Sequence, residues 1–551
     1  MAQLEIKNLT FTYPGQSRPA VKNASLTVAD GSFTLLFGET GCGKTTLLRH
    51  FKSTLTPKGE RSGEVLIDGV SIDDIPESEQ NRKIGFVFQS PSEQIVCDRV
   101  WHELAYGLET SGLDRDAVRL KTGETASKFG LEPLFEQEIS TLSGGQRQLL
   151  CLASVMACGP DTLILDEPLS QLDPLSAENL VNTLRSLNED YGVTVLVCEH
   201  RLEKLFPAAT AAAVMYDGEL VCSSSVSDVA QYARENGELV KLLPSPARIF
   251  SLAGLPGAPA LTVRDLKSSI SDIKLASKSD VKTSDDGSGQ ELISLKEIYF
   301  RYTSDGRDVL KRLDFRLRKG EIYSLFGSNG CGKTTLAHLL SGNINQYYGK
   351  IYVNGKKIKG KIHPGDFNVA ILPQTVELLF LKESVRDELL SVAGADNKMV
   401  TEREAAEMAE KFGLSQMLDR NPFDLSGGER QKLAMAKILL RQPQLIILDE
   451  VTRGMDASFK SYFASLLQAL RDEGRTILLI THDTEFATLV SSRCGLMFDG
   501  AIISEGAPGE FFSSNSFYTT TASLVTRAKC GGIYLESDAV EAIKAGERDE
   551  K

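Results

Sequence analysis

No stretch of this 551-residue chain approaches the roughly 20 uncharged apolar residues that a membrane-spanning helix needs. Contact with a membrane is therefore expected only through a partner. The opening "MAQLEIKNLTFTYP" alternates charged and apolar residues as a strand does, without the basic-then-apolar layout of a signal peptide. A soluble, cytoplasmic chain is expected. A basic excess is missing too: the formal net charge is −13, whereas broad wrapping of nucleic acid needs many Lys and Arg contacts to phosphate. That argument is weak on its own, because a local basic patch can sit inside an acidic total. The nine cysteines contain no CxxC pair and no metal-like spacing, so most read as small buried hydrophobes in a reducing compartment. Cys42 and Cys331 stand apart. Each lies in a Gly-rich loop ahead of a helix, where a thiol can have a lowered pKa and react readily.

What is present is a repeat. "FGETGCGKTTL" (37–47) returns as "FGSNGCGKTTL" (326–336), "FVFQSP" (86–91) as "AILPQT" (370–375), and "LSGGQRQ" (142–148) as "LSGGERQ" (425–431). "LILDEP" (163–168) is matched by "IILDEV" (446–451) and "CEHR" (198–201) by "THDT" (481–484). From the loop lysine onward the offset between copies runs 289, 285, 283, 283 and 282. Motifs in one order with so little drift mean two homologous domains, in a chain too long for a single core. We place them at residues 2–243 and 291–518, with a Pro-, Gly- and Ser-rich linker at 244–290 and a C-terminal tail at 519–551.

Each copy reads as α/β. "SFTLLFG" and "EIYSLFG" are apolar strands running into the loop, and "KTTLLRHFKS" and "KTTLAHLLSG" are helices opening from it. "TLILD" and "QLIILD" have the near-continuous apolar run of a strand buried on both faces of a parallel sheet. Residues 95–141 and 376–424 form a more polar, helical insertion.

GxxxxGK[ST] between a strand and a helix is the pattern of a nucleoside triphosphate site. In the first copy the loop comprises Gly38, Glu39, Thr40, Gly41, Cys42, Gly43, Lys44, Thr45 and Thr46. In the second it comprises Gly327, Ser328, Asn329, Gly330, Cys331, Gly332, Lys333, Thr334 and Thr335. Glycines allow backbone N–H groups to surround a phosphate. Lys44 and Lys333 can reach the β- and γ-phosphate oxygens, and Thr45 and Thr334 can supply a hydroxyl to Mg²⁺. Asp166 and Asp449 end the apolar strands, where a carboxylate can hold the same ion. Glu167 and Glu450 follow directly, and as adjacent strand residues they point the other way, toward an attacking water. Gln89 and Gln374 can reach Mg²⁺ or that water, and His200 and His482 can bond the γ-phosphate. Tyr13 and Tyr302, each 25 residues before the first loop glycine, can stack on a purine. Ser143, Gly144, Gly145 and Gln146, and likewise Ser426, Gly427, Gly428 and Glu429, open helices as a second anion grip.

These motifs in this order resemble the ATP-binding cassette ATPases, across both halves of the chain. The resemblance implies two P-loop NTPase domains, each with a mainly parallel sheet core, an antiparallel β subdomain and a helical insertion. It also implies ATP and Mg²⁺ as ligands and head-to-tail pairing of the two cassettes within the chain. One site would then join Gly38–Thr46, Gln89, Asp166, Glu167 and His200 to Ser426–Glu429, and the other the reciprocal set, with Asp173 and Asp456 at the shared interface. Two departures stand out: Glu199 precedes the first His where Thr or Ser is common, and Val451 replaces a usual Pro. Neither touches a group assigned to ATP, so both sites are expected to hydrolyse.

"FVFQSPSEQIV" further resembles the glutamine stretch of energy-coupling factor importers of vitamins and transition metals, with Ser90 in place of Asn. "EHR" and the "LPQ…LF…SVRDEL" run resemble their double-cassette form. That resemblance implies a transmembrane coupling subunit docking around Gln89–Gln94 and Gln374–Phe380, a separate membrane substrate-binding subunit, no nucleic acid, and a peripheral position on the cytoplasmic face of the membrane. The rival class is a soluble twin-cassette ATPase acting on ribosomes or translation. Such proteins carry a long charged helical linker or an iron–sulfur segment, and neither is in this sequence. The zinc-binding cysteine pairs of DNA-repair cassettes are missing as well.

Overall fold

The computed structural model describes residues 3–170, 172–275, 289–360, 362–363, 367–393, 398–452, 455 and 457–549. Asp456 lies outside them. The chain divides into two compact units, Met1–Ser271 and Asp272–Lys551.

The first unit contains a six-stranded sheet in spatial order Glu219–Ser225, Ala211–Tyr216, Phe33–Gly38, Thr194–Cys198, Thr162–Asp166, Ile84–Val87. All neighbours are parallel except the first pair. The central strands are buried on both faces, which is why they read as unbroken apolar runs rather than alternating ones. A separate antiparallel sheet, ordered Val21–Val28, Leu4–Thr12, Glu60–Ile67, Val70–Ser71, buries one face and leaves the other to solvent. Helices Val100–Thr110, Arg115–Lys128 and Gly144–Ala157 form the insertion.

The second unit repeats this plan. Its six-stranded sheet runs Val369–Leu372, Leu445–Asp449, Thr476–Ile480, Ile322–Phe326, Arg493–Phe498, Ala501–Gly506. Its antiparallel sheet runs Leu310–Arg318, Glu291–Phe300, Tyr348–Val353, Lys356–Ile358. With helices Val385–Leu390 and Glu402–Lys411 as its insertion, the second unit shares the α/β fold of the first: a mainly parallel core, an antiparallel sheet and a helical insertion.

The boundaries differ from those expected. The segment expected as linker starts with helices Ser245–Ala253 and Val263–Ser269 inside the first unit. Ile249, Phe250 and Leu266 are buried there. Pro246, read as a breaker, stands in the first helical turn, where proline's missing N–H costs nothing. The expected tail is likewise folded into the second unit. Helix Thr521–Thr526 buries Ala522 and Val525, and helix Glu536–Asp549 buries Ala539 and Ile543.

Candidate active sites

In the first unit, the strand Phe33–Gly38 delivers the chain into the loop, and helix Lys44–Arg49 leaves it. Gly38 cannot carry a side chain: a Cβ there would lie 2.2 Å from the carbonyl oxygen of Met215. At Gly327 the corresponding distance, to Met497, is 2.4 Å. The loop lysines are held ready by their own loops. Lys44 Nζ donates to the carbonyls of Gly38 at 3.1 Å and Glu39 at 2.7 Å, and Lys333 Nζ to those of Gly327 at 2.8 Å and Ser328 at 3.0 Å. A phosphate would exchange those carbonyl partners for charged oxygens.

Thr45 Oγ1 donates to Asp166 at 3.1 Å, and Thr334 Oγ1 to Asp449 at 2.9 Å. Burial, reinforced by the charge on Glu167, pushes the Asp166 carboxyl up to about 6. A buried carboxylate disfavoured in its charged form, beside a hydroxyl, gains from a bound cation. Thr45 with Asp166, and Thr334 with Asp449, therefore fit Mg²⁺, which would supply charge for the phosphate oxygens.

Glu167 and Glu450 are not strand residues. Their strands end at Asp166 and Asp449, and both glutamates turn into the left-handed region, with φ of 47° and 54°. Each is fixed there by its N–H, which donates to the adjacent strand at Cys198 or Ile480, at 2.9 Å in both cases. The turn brings the carboxylate to the histidine: His200 Nε2 lies 2.6 Å from Glu167 Oε1, and His482 Nε2 lies 3.0 Å from Glu450 Oε1. Burial alone would raise the Glu167 carboxyl, but the bond from His200 and the nearby Lys44 charge hold it below the ordinary value. It therefore stays ionised and able to accept a proton. Gln89 Nε2 donates to Glu167 Oε2 at 2.7 Å. Gln374 is exposed and shows no such bond to Glu450 among the described residues.

The tyrosines are anchored alike. Tyr13 and Tyr302 bond the second loop threonines, Thr46 and Thr335, through their hydroxyls at 3.0 Å in both units. Thr46 and Thr335 are buried and so act as struts for the tyrosines. Phe11 and Phe300 meet the tyrosine rings edge-on, which fixes the ring plane against which a base could stack. Ser143 and Ser426 cap their helices, and the side chains of Gln146 and Glu429 close back onto the serine N–H groups. These two side chains serve the helix start, leaving the backbone N–H groups of the glycines to face an anion. Asp173 caps helix Pro174–Tyr191 through the N–H groups of Leu175 and Ser176.

The reactive thiols expected at Cys42 and Cys331 are not found. Both are 6% exposed, and burial pushes both thiols up despite Lys44 and Lys333 close by. Desolvation of the thiolate outweighs the attraction of the lysine.

Three carboxylates were given no structural role by the sequence reading. Glu199, 1% exposed, accepts from the N–H groups of Leu169 at 2.6 Å, His200 at 2.8 Å and Arg201 at 3.2 Å. It ties the segment after Glu167 to the segment carrying His200; Thr481 occupies its place in the second unit. Glu103 and Glu388, 4% and 0% exposed, lie in the helical insertions, each 14 residues after the glutamine. Glu103 accepts from Val96 at 3.1 Å and Cys97 at 2.9 Å. Glu388 accepts from the N–H groups of Leu381 and Lys382 and pairs with Lys437. The matched spacing in "WHEL" and "VRDEL" was the available signal.

A family model described as "ABC transporter" matches residues 21–170 and 310–453. A protein of Bacillus thuringiensis subsp. konkukian, named as an ABC transporter ATP-binding protein, is 36% identical over 547 residues, 98% of each chain. One of Methanosarcina mazei, similarly named, is 30% identical over 520 residues, 91% of this chain and 88% of its own. Among solved structures, the archaeal ribosome recycling factor crystallised with a ribosomal stalk protein matches with a TM-score of 0.57 at 22% identity. That match covers 92% of this chain and 91% of its own, a likeness of fold.

Proposed function

Since the chain belongs to the ABC transporter family and is an ATPase using ATP with Mg²⁺, we propose that it is the ATP-hydrolysing subunit of an energy-coupling factor importer. It powers uptake of a vitamin or metal ion through separate transmembrane and substrate-binding subunits, from the cytoplasmic face of the membrane. In this reading the cassettes pair head to tail, each closing the other's nucleotide site.

The observation that carries the importer reading is the surface beside each glutamine. Val96 is 67% exposed, Leu378 73% and Leu381 83%. Leu378 and Leu381, both exposed and three residues apart, suit a docking face. Val96 and Leu381 are also fixed in place, because their N–H groups end on the buried Glu103 and Glu388. In the first unit Gln94 adds to this order by accepting from Phe88 N–H at 3.0 Å. A helix from a membrane subunit fits this surface, and its movement would be felt at Gln89 and hence at Glu167.

The test is purification of the tagged chain from gently solubilised membranes. A polytopic membrane subunit and a small membrane protein should come with it, and Leu378→Asp with Leu381→Asp should release them. Ribosomal proteins without a membrane subunit would overturn the importer reading in favour of the soluble twin-cassette ATPase.

A further inference from the structure

The two antiparallel sheets share their order and register, yet one position differs in sign. In the first unit Lys7 faces Glu64 across neighbouring strands. In the second unit the corresponding pair is Lys296 facing Lys350. Like charges directly opposite one another destabilise a sheet, so a structural role does not account for this pair. The bias extends over the whole sheet. The four strands of the second unit carry eight Lys and Arg against three Asp and Glu, whereas those of the first carry three against three. This occurs in a chain whose net charge is −13.

The outer face is also aromatic. The buried partners Ile351 and Val353 alternate with Tyr348, Lys350 and Tyr352, so those three project to the same open side. Tyr299 pairs with Tyr348, and Tyr348 is 58% exposed. With Tyr347, Glu297 and Arg312 they line an open cavity of about 480 Å³. Lys296 lies over the ring of Tyr352 at 5.3 Å, and Arg301 over Tyr347 at 4.8 Å. In the first unit Thr10 and Ser62 occupy the paired positions held here by Tyr299 and Tyr348.

We propose that the outer face of the second unit's antiparallel sheet binds single-stranded RNA, Lys296 and Lys350 following the phosphates and the exposed tyrosines stacking on bases. Cations interleaved with exposed aromatic rings suit such a strand. The chemistry favours RNA over an anionic membrane surface because flat rings flanking a cavity offer stacking for planar bases, and Glu297 beside them can accept from base N–H donors. The proposal departs from the expectation of no nucleic acid, and it is independent of the partner at the glutamine face.

The experiment is fluorescence anisotropy of a labelled oligouridine of about 12 nucleotides with the purified full chain at low salt, alongside sedimentation with phosphatidylglycerol vesicles. Binding should weaken steadily with added salt. Lys350→Glu alone restores the opposite-charge pairing of the first unit. It should weaken RNA binding several-fold while raising the melting temperature, so misfolding cannot imitate the result. Tyr348→Ala should weaken binding roughly tenfold with the salt slope and the ATPase rate unchanged. Absence of RNA binding at low salt, equal binding by both variants, or capture by vesicles but not by RNA would overturn the proposal.

Discussion

The Nε2 of His200 lies 2.6 Å from Oε1 of Glu167, so the histidine bonds the very carboxylate expected to accept a proton in hydrolysis. In the second unit His482 Nε2 and Glu450 Oε1 lie 3.0 Å apart, and the same nitrogen lies 3.4 Å from Asn329 Oδ1. Replacing both glutamates by glutamine preserves size and hydrogen bonding while removing the base. We expect Glu167→Gln with Glu450→Gln to cut phosphate release at least about 100-fold while ATP still binds in a filter assay. Hydrolysis near the wild-type rate would place the base elsewhere.

The buried thiols of Cys42 and Cys331 give a pH test. Only the thiolate alkylates, and burial raises both pKa values, so the reactive fraction at neutral pH lies below that of a free cysteine. Labelling followed by mass spectrometry should be slow at pH 7 and accelerate as pH rises beyond the ordinary thiol pKa. Rapid labelling of either residue at pH 7 would contradict the burial argument.

Glu388 and Glu103 hold similar segments with different support. Glu388 pairs with Lys437 out of water, whereas the first unit has Ser154 at the lysine position. Glu388→Gln leaves a lysine without its counter-charge and should cost about 3 kcal/mol. Glu103→Gln should cost about 1 kcal/mol. Denaturant unfolding measures both, and equal costs would show that the lysine contributes nothing.

Glu199 supplies a linkage prediction. Burial first, then the charge of Glu167, raises its folded pKa above the unfolded value, so the native state holds the proton more tightly. Stability from this group is present at low pH and is lost as pH climbs from the unfolded pKa through the folded one. Glu199→Gln cannot titrate. The variant should therefore gain stability relative to wild type as pH rises above the ordinary glutamate pKa; a difference that stays flat would refute the shift.

The phosphate loops, the strand-end aspartates and the doubled α/β plan were legible because each is fixed locally, by glycines where a Cβ collides and by apolar runs on strands buried on both faces. The roles of Glu199, Glu103 and Glu388 were not, because most of their partners are backbone N–H groups, which residue identity does not display. The folded segment at 245–271 was hidden by its prolines, which mark a helix start as readily as a break. The thiol reactivity was misjudged for a related reason: the sequence displays the nearby lysine but not the burial that opposes it.

The left-handed backbone at Glu167 and Glu450 has an evolutionary consequence. A residue with a Cβ held at φ near 50° costs the fold roughly 1 kcal/mol that glycine would not, and asparagine tolerates the conformation better than glutamate does. Random change at these two codons can thus yield a chain that folds better and no longer turns over nucleotide. If these glutamates are the base, the backbone strain favours losing the reaction and the demand for work done by the cell opposes that loss. A lineage released from that demand would be expected to decay here first, one cassette at a time, while remaining abundant and well folded.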